Sequence, residues 1–338
     1  MKQLSICMPS NRGFETSFRA IETALAFCEA RNAILIVSDN SRDVEKAAYW
    51  KGRSEHLLYV PDAPLEASAN GLNSIKAVET PFLMPLGDDD ELYSDDAHTP
   101  VDLATLGPDV IGVKPLIELF SPGTEMAARR AFALDGETAG LRLQQFLERN
   151  QGDNTSYYSV FRTAPYISLG EYFQASHPTR GLYCDWALAM ALFMAGKLLF
   201  DPSIVFRYNA SAWSTPALVE ENARKFYTRV GLPGNFRDYN MLLRAMDLFV
   251  LCGRKGGGMA REALAELQTG ALWEFLNYGF SAVLERANPE TPNLVELAQK
   301  GLQELNPVLK FLHGAAVLDC FQPGLKAKYI AFLKSASV

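Results

Sequence analysis

Short apolar runs alternate with helical patterns through the first hundred residues. The apolar runs predict four buried strands, at residues 4–8, 33–37, 56–60 and 82–86. The segments between them predict helices, at residues 14–28, 43–51 and 67–79. Strands that are apolar on both faces and separated by helices are typical of a parallel sheet covered on both sides. We therefore predict an α/β fold whose ligand site lies at the carboxyl ends of its strands.

The pattern changes in the second half of the chain. Further strands are predicted at residues 110–113, 157–161 and 204–208, and helices at residues 139–149 and 184–196. From Pro216 onward the apolar residues recur almost entirely at helical spacing. We predict two domains, an α/β domain over residues 1–214 and an all-helical domain over residues 215–338.

Composition narrows the class of protein. The 32 basic and 39 acidic residues leave a net charge of −7, which disfavours nonspecific binding to a nucleic-acid backbone. The five cysteines are scattered and never form a C-x-x-C pair, which disfavours a disulfide framework or a cysteine zinc site. The N-terminus lacks the apolar stretch of a signal peptide. We expect a cytoplasmic protein, and peripheral membrane contact stays open.

An acidic run, Asp88, Asp89 and Asp90, directly follows the apolar run at 82–86. Adjacent carboxylates repel one another by about 1 kcal/mol per close pair in water, and by more when they are partly buried. A Mn²⁺ or Mg²⁺ ion would neutralise them, because both ions prefer oxygen ligands and keep places for phosphate. The alternative is an exposed turn before a helix whose N-terminus favours acidic residues.

Three other polar segments stand at the end of a predicted strand or the start of a helix: Pro9-Ser10-Asn11-Arg12, Ser38-Asp39-Asn40-Ser41 and Cys184-Asp185-Trp186. Asp39 could accept hydrogen bonds from a base or ribose, or could cap the next helix. Asp185 could act as a general base, or could cap the helix that it opens. Taken together, the segments favour a nucleotide site more strongly than any one of them does.

With Gly87-Asp88-Asp89-Asp90, these segments resemble in order and spacing the motifs of family 2 glycosyltransferases, which have the GT-A fold. The resemblance covers roughly residues 1 to 212. This sequence departs from the family pattern at Ser38 and Cys184, where the family usually has an acidic residue, and it lacks the aromatic residue that normally precedes Asn11.

The resemblance implies a role for each matching residue. The nucleotide would be bound by the following set: Pro9, Ser10, Asn11, Arg12, Asp39, Asn73 (or Asn70) and Asp88. Asp89 and Asp90 would bind Mn²⁺ or Mg²⁺, although the register within the acidic run is ambiguous by one residue. Asp185 would deprotonate the acceptor hydroxyl. The implied reaction is an inverting transfer of a sugar from a nucleotide-diphosphate sugar to a glycan or lipid-linked acceptor.

Two other functions stay open at this stage. The first is nucleotidyl transfer, although that class normally has a glycine-rich basic loop after its first strand. The second is a nucleotide-sugar-binding scaffold without turnover, which the departures at Ser38 and Cys184 motivate. We expect the C-terminal helices either to form a homodimer or to cover the acceptor cleft, because amphipathic helices need a partner surface.

Overall fold

The structure is a computed structural model that describes residues 2–121, 126, 128–234, 239–255, 257, 259–286 and 292–336. The chain forms two compact units, each assembled from three stretches of sequence. The sheet unit contains Met1–Asp135, Glu148–Gly170 and Gly196–Ser214. The helical unit contains Gly136–Leu147, Glu171–Ala195 and Thr215–Val338.

The sheet unit is built on one mixed sheet. Its strands are β1 (Leu4–Ser10), β2 (Ile34–Asp39), β3 (Leu57–Val60), β4 (Phe82–Pro85), β5 (Glu91–Ser94), β6 (Val110–Phe120), β7 (Ala128–Arg130), β8 (Val160–Arg162) and β9 (Lys197–Asn209). The strand order is β3-β2-β1-β4-β8-β6-β9-β5, and β7 pairs with β6. Among these strands β5, β7 and β8 run opposite to the rest. The predicted α/β class is therefore confirmed.

Thirteen α-helices are present in the described residues. Those in the first two-thirds of the chain are α1 (Phe14–Ala30), α2 (Val44–Trp50), α3 (Ala67–Lys76), α4 (Ala139–Arg149), α5 (Thr163–Ser176) and α6 (Asp185–Ala195). The others are α7 (Pro216–Thr228), α8 (Asn240–Gly253), α9 (Arg261–Thr269), α10 (Ala271–Arg286), α11 (Pro292–Gln303), α12 (Pro307–Phe321) and α13 (Leu325–Ala336). None of the helices in the described ranges has both the length and the hydropathy that a bilayer crossing requires.

The N-terminal half of the sheet carries its core on the face that α1 covers. Ile6, Ile21, Val37 and Met84 have no exposed surface there. Asp43 fixes the helices above the strand ends, because its carboxylate accepts backbone N–H bonds from Phe14 in α1 and from Lys46 in α2. The two helices are thus anchored at the edge where β1 and β2 end.

Close strand contact at the centre of the sheet depends on Gly112. A Cβ atom at this position would lie 1.8 Å from the carbonyl oxygen of Val160. Gly112 therefore lets β6 pair with the short strand β8, which in turn pairs with β4.

Two predictions and one alternative differ from the structure. The predicted domain limit at residue 214 coincides with one limit of the sheet unit, but residues 136–147 and 171–195 also belong to the helical unit. The alternative for the acidic run was a turn before a helix, but the run is followed by β5, an edge strand paired with β9. The strand predicted at 204–208 is part of the longer β9, because a bulge opposite Pro115 and Leu116 lets the strand continue past Pro202.

The helical unit is organised around α6 and α8. Helix α6 is apolar on all sides, and seven of its eleven residues are buried. A helix without a polar face has to be covered all round. In α8 every residue from Leu242 to Cys252 except Arg244 is buried. Helices α6 and α8 pack against each other.

Candidate functional site

The predicted nucleotide residues of the sheet unit meet at one edge of the sheet. Strands β1, β2 and β4 are parallel, so their carboxyl ends lie at the same edge. The register pairs Ser10 with Asp39 and Cys7 with Pro85, the last residue of β4. The loop that follows β4 carries the acidic run back to Ser10, where Asp88 makes its contacts.

Asp88 is almost completely buried and fully used as a hydrogen-bond acceptor. Its Oδ2 accepts the Ser10 hydroxyl at 2.7 Å and the backbone N–H groups of Asn11 and Arg12, each at 3.0 Å. Its Oδ1 accepts Nη1 of Arg12. This carboxylate therefore fixes the backbone turn after β1 and has little remaining capacity for a ligand.

Arg12 bridges two of the three acidic residues. Its Nη2 donates to Oδ2 of Asp89 at 2.8 Å while Nη1 holds Asp88. The Arg12 side chain is 41% exposed and that of Asp89 is 35% exposed, so this pair faces solvent more than Asp88 does. Burial raises the pKa of Asp89, the charge of Arg12 opposes that rise, and the charge of Asp88 adds to it.

Asp90 is buried below the surface of the site. Its side chain accepts the backbone N–H of Asn209, at the end of β9, at 2.8 Å. Burial, and then the charge of Asp89, raise the pKa of Asp90 well above its ordinary value. The residue is 2% exposed, so its main contact is a structural one to the end of another strand.

Asp39 is also held by the protein itself. Oδ1 accepts Nζ of Lys46 at 3.2 Å and the backbone N–H of Ser41 at 3.1 Å. Oδ2 accepts the Tyr59 hydroxyl at 2.5 Å and the Ser41 hydroxyl at 3.0 Å. These four bonds occupy the acceptor positions of the carboxylate. A base that bound to Asp39 would have to replace one of them.

Two asparagine side chains of α3 contact the end of β2. Asn70 accepts the Ser38 hydroxyl at 2.7 Å, and the Asn73 side chain donates to the same hydroxyl at 2.8 Å. The structure therefore brings both candidate asparagines to the end of β2. Pro9 lies in β1 beside Ser38 and is partly buried, whereas the Asn11 side chain is exposed.

The carboxylates, as the chain holds them, do not fit the predicted metal pair. Asp90 is shielded, because it is 2% exposed and its carboxylate accepts the backbone N–H of Asn209. Arg12 balances one of the two negative charges of Asp88 and Asp89. The repulsion from which the metal was predicted is thus partly relieved by a side chain, and a divalent ion bound to both carboxylates would have to displace Arg12.

Asp185, the predicted base, belongs to the helical unit. It is the first residue of α6, and its Oδ1 accepts the backbone N–H of Trp186 at 2.7 Å. Trp186 is in turn covered by the guanidinium of Arg244, 3.8 Å from the ring centre. This bond to the next residue holds the carboxylate against the first turn of α6, while the role as a base stays a prediction.

Next to Asp185 lies a buried group formed by His177, Cys184 and Asp247. In the described part of the chain, these residues are the set whose ligand atoms lie close enough for a metal, within 4.8 Å. However, Nδ1 of His177 accepts the backbone N–H groups of Thr179 and Arg180. The ring proton therefore sits on Nε2, facing Asp247 at 3.0 Å, and this tautomer opposes a metal at His177.

Sequence reasoning missed Lys46 and Tyr59, two of the partners of Asp39. Lys46 has no exposed side-chain surface, and its ammonium also donates to Ser10 Oγ and to the carbonyl oxygen of Arg12. The sequence carried one signal for it: Lys46 is three residues past Asp43, so it falls in the first turn of the helix that faces the strand ends.

No family model matches the chain, and no curated protein matches it. Membership of family 2 therefore stays a prediction. Solved structures with a similar fold include the crystal structure of S. aureus TarS 1-349, at 13% identity and a TM-score of 0.48, covering 99% of this chain and 89% of that chain. The crystal structure of TarS 1-349 in complex with UDP has the same identity and coverage and a TM-score of 0.47. The complex with UDP-GlcNAc has 14% identity and a TM-score of 0.40, with coverages of 94% and 91%.

Proposed function

We propose that the chain is a glycosyltransferase that takes its sugar from a nucleotide-diphosphate sugar. The observation that carries the proposal is the convergence of Ser10, Asp39, Asn73 and Asp88 at the carboxyl edge of β1, β2 and β4. Parallel α/β sheets bind nucleotides at this edge. The hydroxyl, amide and carboxylate groups there are held in place by other side chains before a ligand arrives, and a base at Asp39 would exchange one existing bond for a new one.

The proposed reaction is a single displacement. A hydroxyl oxygen of the acceptor forms a bond to the anomeric carbon, the bond from that carbon to the phosphate oxygen breaks, and the hydroxyl proton passes to a base. Asp185 is our candidate for the base, and the nucleoside diphosphate is the leaving group. Arg12 is a partly exposed cation of the sheet-unit site, and its charge is already paired with Asp88 and Asp89.

The proposal is tested first by binding. Calorimetry with a panel of nucleoside diphosphates, in EDTA and again in Mn²⁺, should find one that binds the wild-type protein, and Asp88→Asn should weaken that binding at least tenfold. Asp109→Asn is the matched control, because Asp109 is an exposed carboxylate near the opposite, amino-terminal end of β6. Failure of the wild type to bind any nucleotide would refute the proposal.

Turnover is tested by the product. Incubation with nucleotide sugars should release a nucleoside diphosphate, whereas nucleotidyl transfer would release pyrophosphate. Asp185→Asn should reduce the rate by about 10²–10⁴-fold, the contribution of a general base. A nucleotidyl product would support the other enzyme class.

The bonding of Asp39 and Asp88 favours one alternative. Both carboxylates are saturated by groups of the chain itself, and this would suit a protein that binds a nucleotide sugar without transferring the sugar. Tight binding of a donor with no release of nucleoside diphosphate would support this scaffold.

A further inference from the structure

A second set of polar groups in the sheet unit is buried and unused. Nζ of Lys114, both amide atoms of Asn154 and the hydroxyl of Ser156 have no hydrogen-bond partner among the described residues. Lys114 has no exposed surface, and Ser156 is 1% exposed. Buried polar groups are nearly always paired, because an unpaired one costs about 1–3 kcal/mol. Four unpaired atoms in two short segments therefore point to a partner outside the chain.

The strand register places these groups near the acidic run. Strand β8 pairs Phe161 with Leu83 of β4 and Val160 with Val113 of β6. Extending the registers, by one step beyond Val113 in β6 and by two steps beyond Leu83 in β4, puts Ser159 level with Lys114 and Pro85. Because β8 is antiparallel to β4, the segment that precedes Ser159 reaches the sheet from the edge at which β4 ends. Asn154 and Ser156 therefore lie toward the edge of the sheet at which β4 ends, which is the edge that carries Asp88.

The surroundings of Lys114 leave its ammonium available. Its Nζ lies 4.7 Å from the centre of the Phe132 ring. Arg130 and Asp153 form an ion pair at 2.8 Å, so Asp153 is already balanced by another cation. Burial lowers the pKa of Lys114 to about 7, with Asp153 opposing that change. At neutral pH the amine can thus donate hydrogen bonds and, in its neutral form, accept one.

We propose that Lys114, Asn154 and Ser156 form a subsite for the hydroxyl groups of the sugar carried by the nucleotide. A sugar hydroxyl is both donor and acceptor, and the amide of Asn154 and the hydroxyl of Ser156 have this same dual character. Lys114 adds a strong donor. This inference rests on the proposed function and deepens it, because it separates the residues that bind the sugar from those that bind the nucleotide.

The decisive quantity is the affinity for a nucleotide sugar divided by the affinity for its nucleoside diphosphate. Calorimetry measures the Kd of UDP and GDP, and that of UDP-glucose, UDP-N-acetylglucosamine and GDP-mannose, for the wild type and for Asn154→Ala and Ser156→Ala. We expect each substitution to weaken the preferred nucleotide sugar by about 3- to 10-fold, the effect of one lost hydrogen bond. Affinity for the corresponding nucleoside diphosphate should stay unchanged.

Ser5→Ala is the matched control. Ser5 is a buried serine of the same unit, but its hydroxyl is paired with Thr80 at 2.8 Å near the start of β1. We expect Ser5→Ala to leave the ratio as it is in the wild type. Folding of every variant is checked by circular dichroism.

Lys114→Met separates ligand binding from stability. Removing a buried amine without a partner should raise Tm, and the same change should reduce the affinity ratio. A fall in Tm would show that Lys114 has a partner within the protein, which would overturn its part in the subsite.

The remaining outcomes are also decisive. Nucleoside diphosphate binding by the wild type with no added affinity for any nucleotide sugar would overturn the subsite while leaving the nucleotide site intact. Unchanged ratios in folded Asn154→Ala and Ser156→Ala proteins would assign the buried groups to ordered water. Absence of all nucleotide binding would remove the proposed function and the subsite together.

Discussion

Lys46 and Asp39 form an ion pair in which neither side chain is more than 3% exposed. The three ammonium protons of Lys46 have three acceptors: Asp39 at 3.2 Å, the Ser10 hydroxyl at 2.6 Å and the Arg12 carbonyl at 2.8 Å. The lysine thereby joins the end of β1 to the end of β2. It also holds the backbone of Arg12 through the carbonyl oxygen, while Asp88 holds it through the N–H.

Loss of this lysine should destabilise the sheet unit. Lys46→Met leaves the carboxylate of Asp39 buried without its cation, which typically costs about 3–5 kcal/mol. Urea denaturation measures the change, and Lys51→Met, an exposed lysine one residue past α2, is the control. The double variant Lys46→Met with Asp39→Leu should regain part of the loss. Equal stability of the Lys46→Met protein and the wild type would contradict the ion pair.

Arg12 should compete with divalent cations. Removing its guanidinium in Arg12→Met frees Asp88 and Asp89, so Mn²⁺ affinity without nucleotide should rise by about tenfold, or about 1.4 kcal/mol. Titration followed by electron paramagnetic resonance measures free Mn²⁺. Arg42→Met, which removes a guanidinium from the exposed Asp62, is the matched control. The same Mn²⁺ affinity in both variants would show that Arg12 does not occupy a metal position.

The pH dependence of stability should report on Asp90. Because burial raises its pKa in the folded protein, the folded state keeps a proton that the unfolded state has lost. This contribution is fully present below the ordinary carboxyl pKa and is lost as pH rises through the folded pKa. Asp90→Asn keeps an oxygen for the Asn209 N–H and removes the titration. Denaturation between pH 4 and 8 should show a smaller decline for this variant than for Asp109→Asn.

A chain that ends at residue 214 should not fold into a soluble protein. Truncation there removes α8, so the apolar helix α6 loses the helix that it packs against. We expect aggregation, or dye binding to exposed apolar surface, in expression and fluorescence assays. A stable monomer would show that residues 136–147 and 171–195 do not depend on the C-terminal helices.

Tyr329 should contribute to the stability of the helical unit. Its hydroxyl donates to Oδ1 of Asp247 at 2.7 Å inside the core formed by α8 and α13. Tyr329→Phe removes this bond and should cost about 1.5–3 kcal/mol, the range for hydrogen bonds to a charged group. Thermal denaturation measures the loss. Tyr278→Phe, at an exposed tyrosine of α10, is the control and should change Tm little.

The N-terminal strands and the meeting of their ends could be predicted because local signals agreed there. Each apolar run ended in a polar segment, and parallel strands bring such segments to one edge. The strand order β4-β8-β6 could not be predicted from the sequence. It depends on Gly112, whose importance comes from the approach of Val160, a residue almost fifty positions later.

Sequence reasoning could not assign the charge balance of the site. A run of three aspartates calls for a cation, but the pattern does not say whether a metal or a side chain supplies it. Arg12 was identified as a nucleotide ligand, and its bridge between Asp88 and Asp89 depends on the turn after β1. Lys114 was hidden for a similar reason, because one lysine in an apolar strand carries no periodic signal.

The interleaving of the two units has a consequence for synthesis. As the nascent chain leaves the ribosome, the strands from β1 to β4 emerge together with α1, which covers their core. Helix α6 emerges well before α8, its packing partner. During that interval the apolar surface of α6 is exposed. We therefore expect chaperones to bind the nascent chain mainly at this stage of translation.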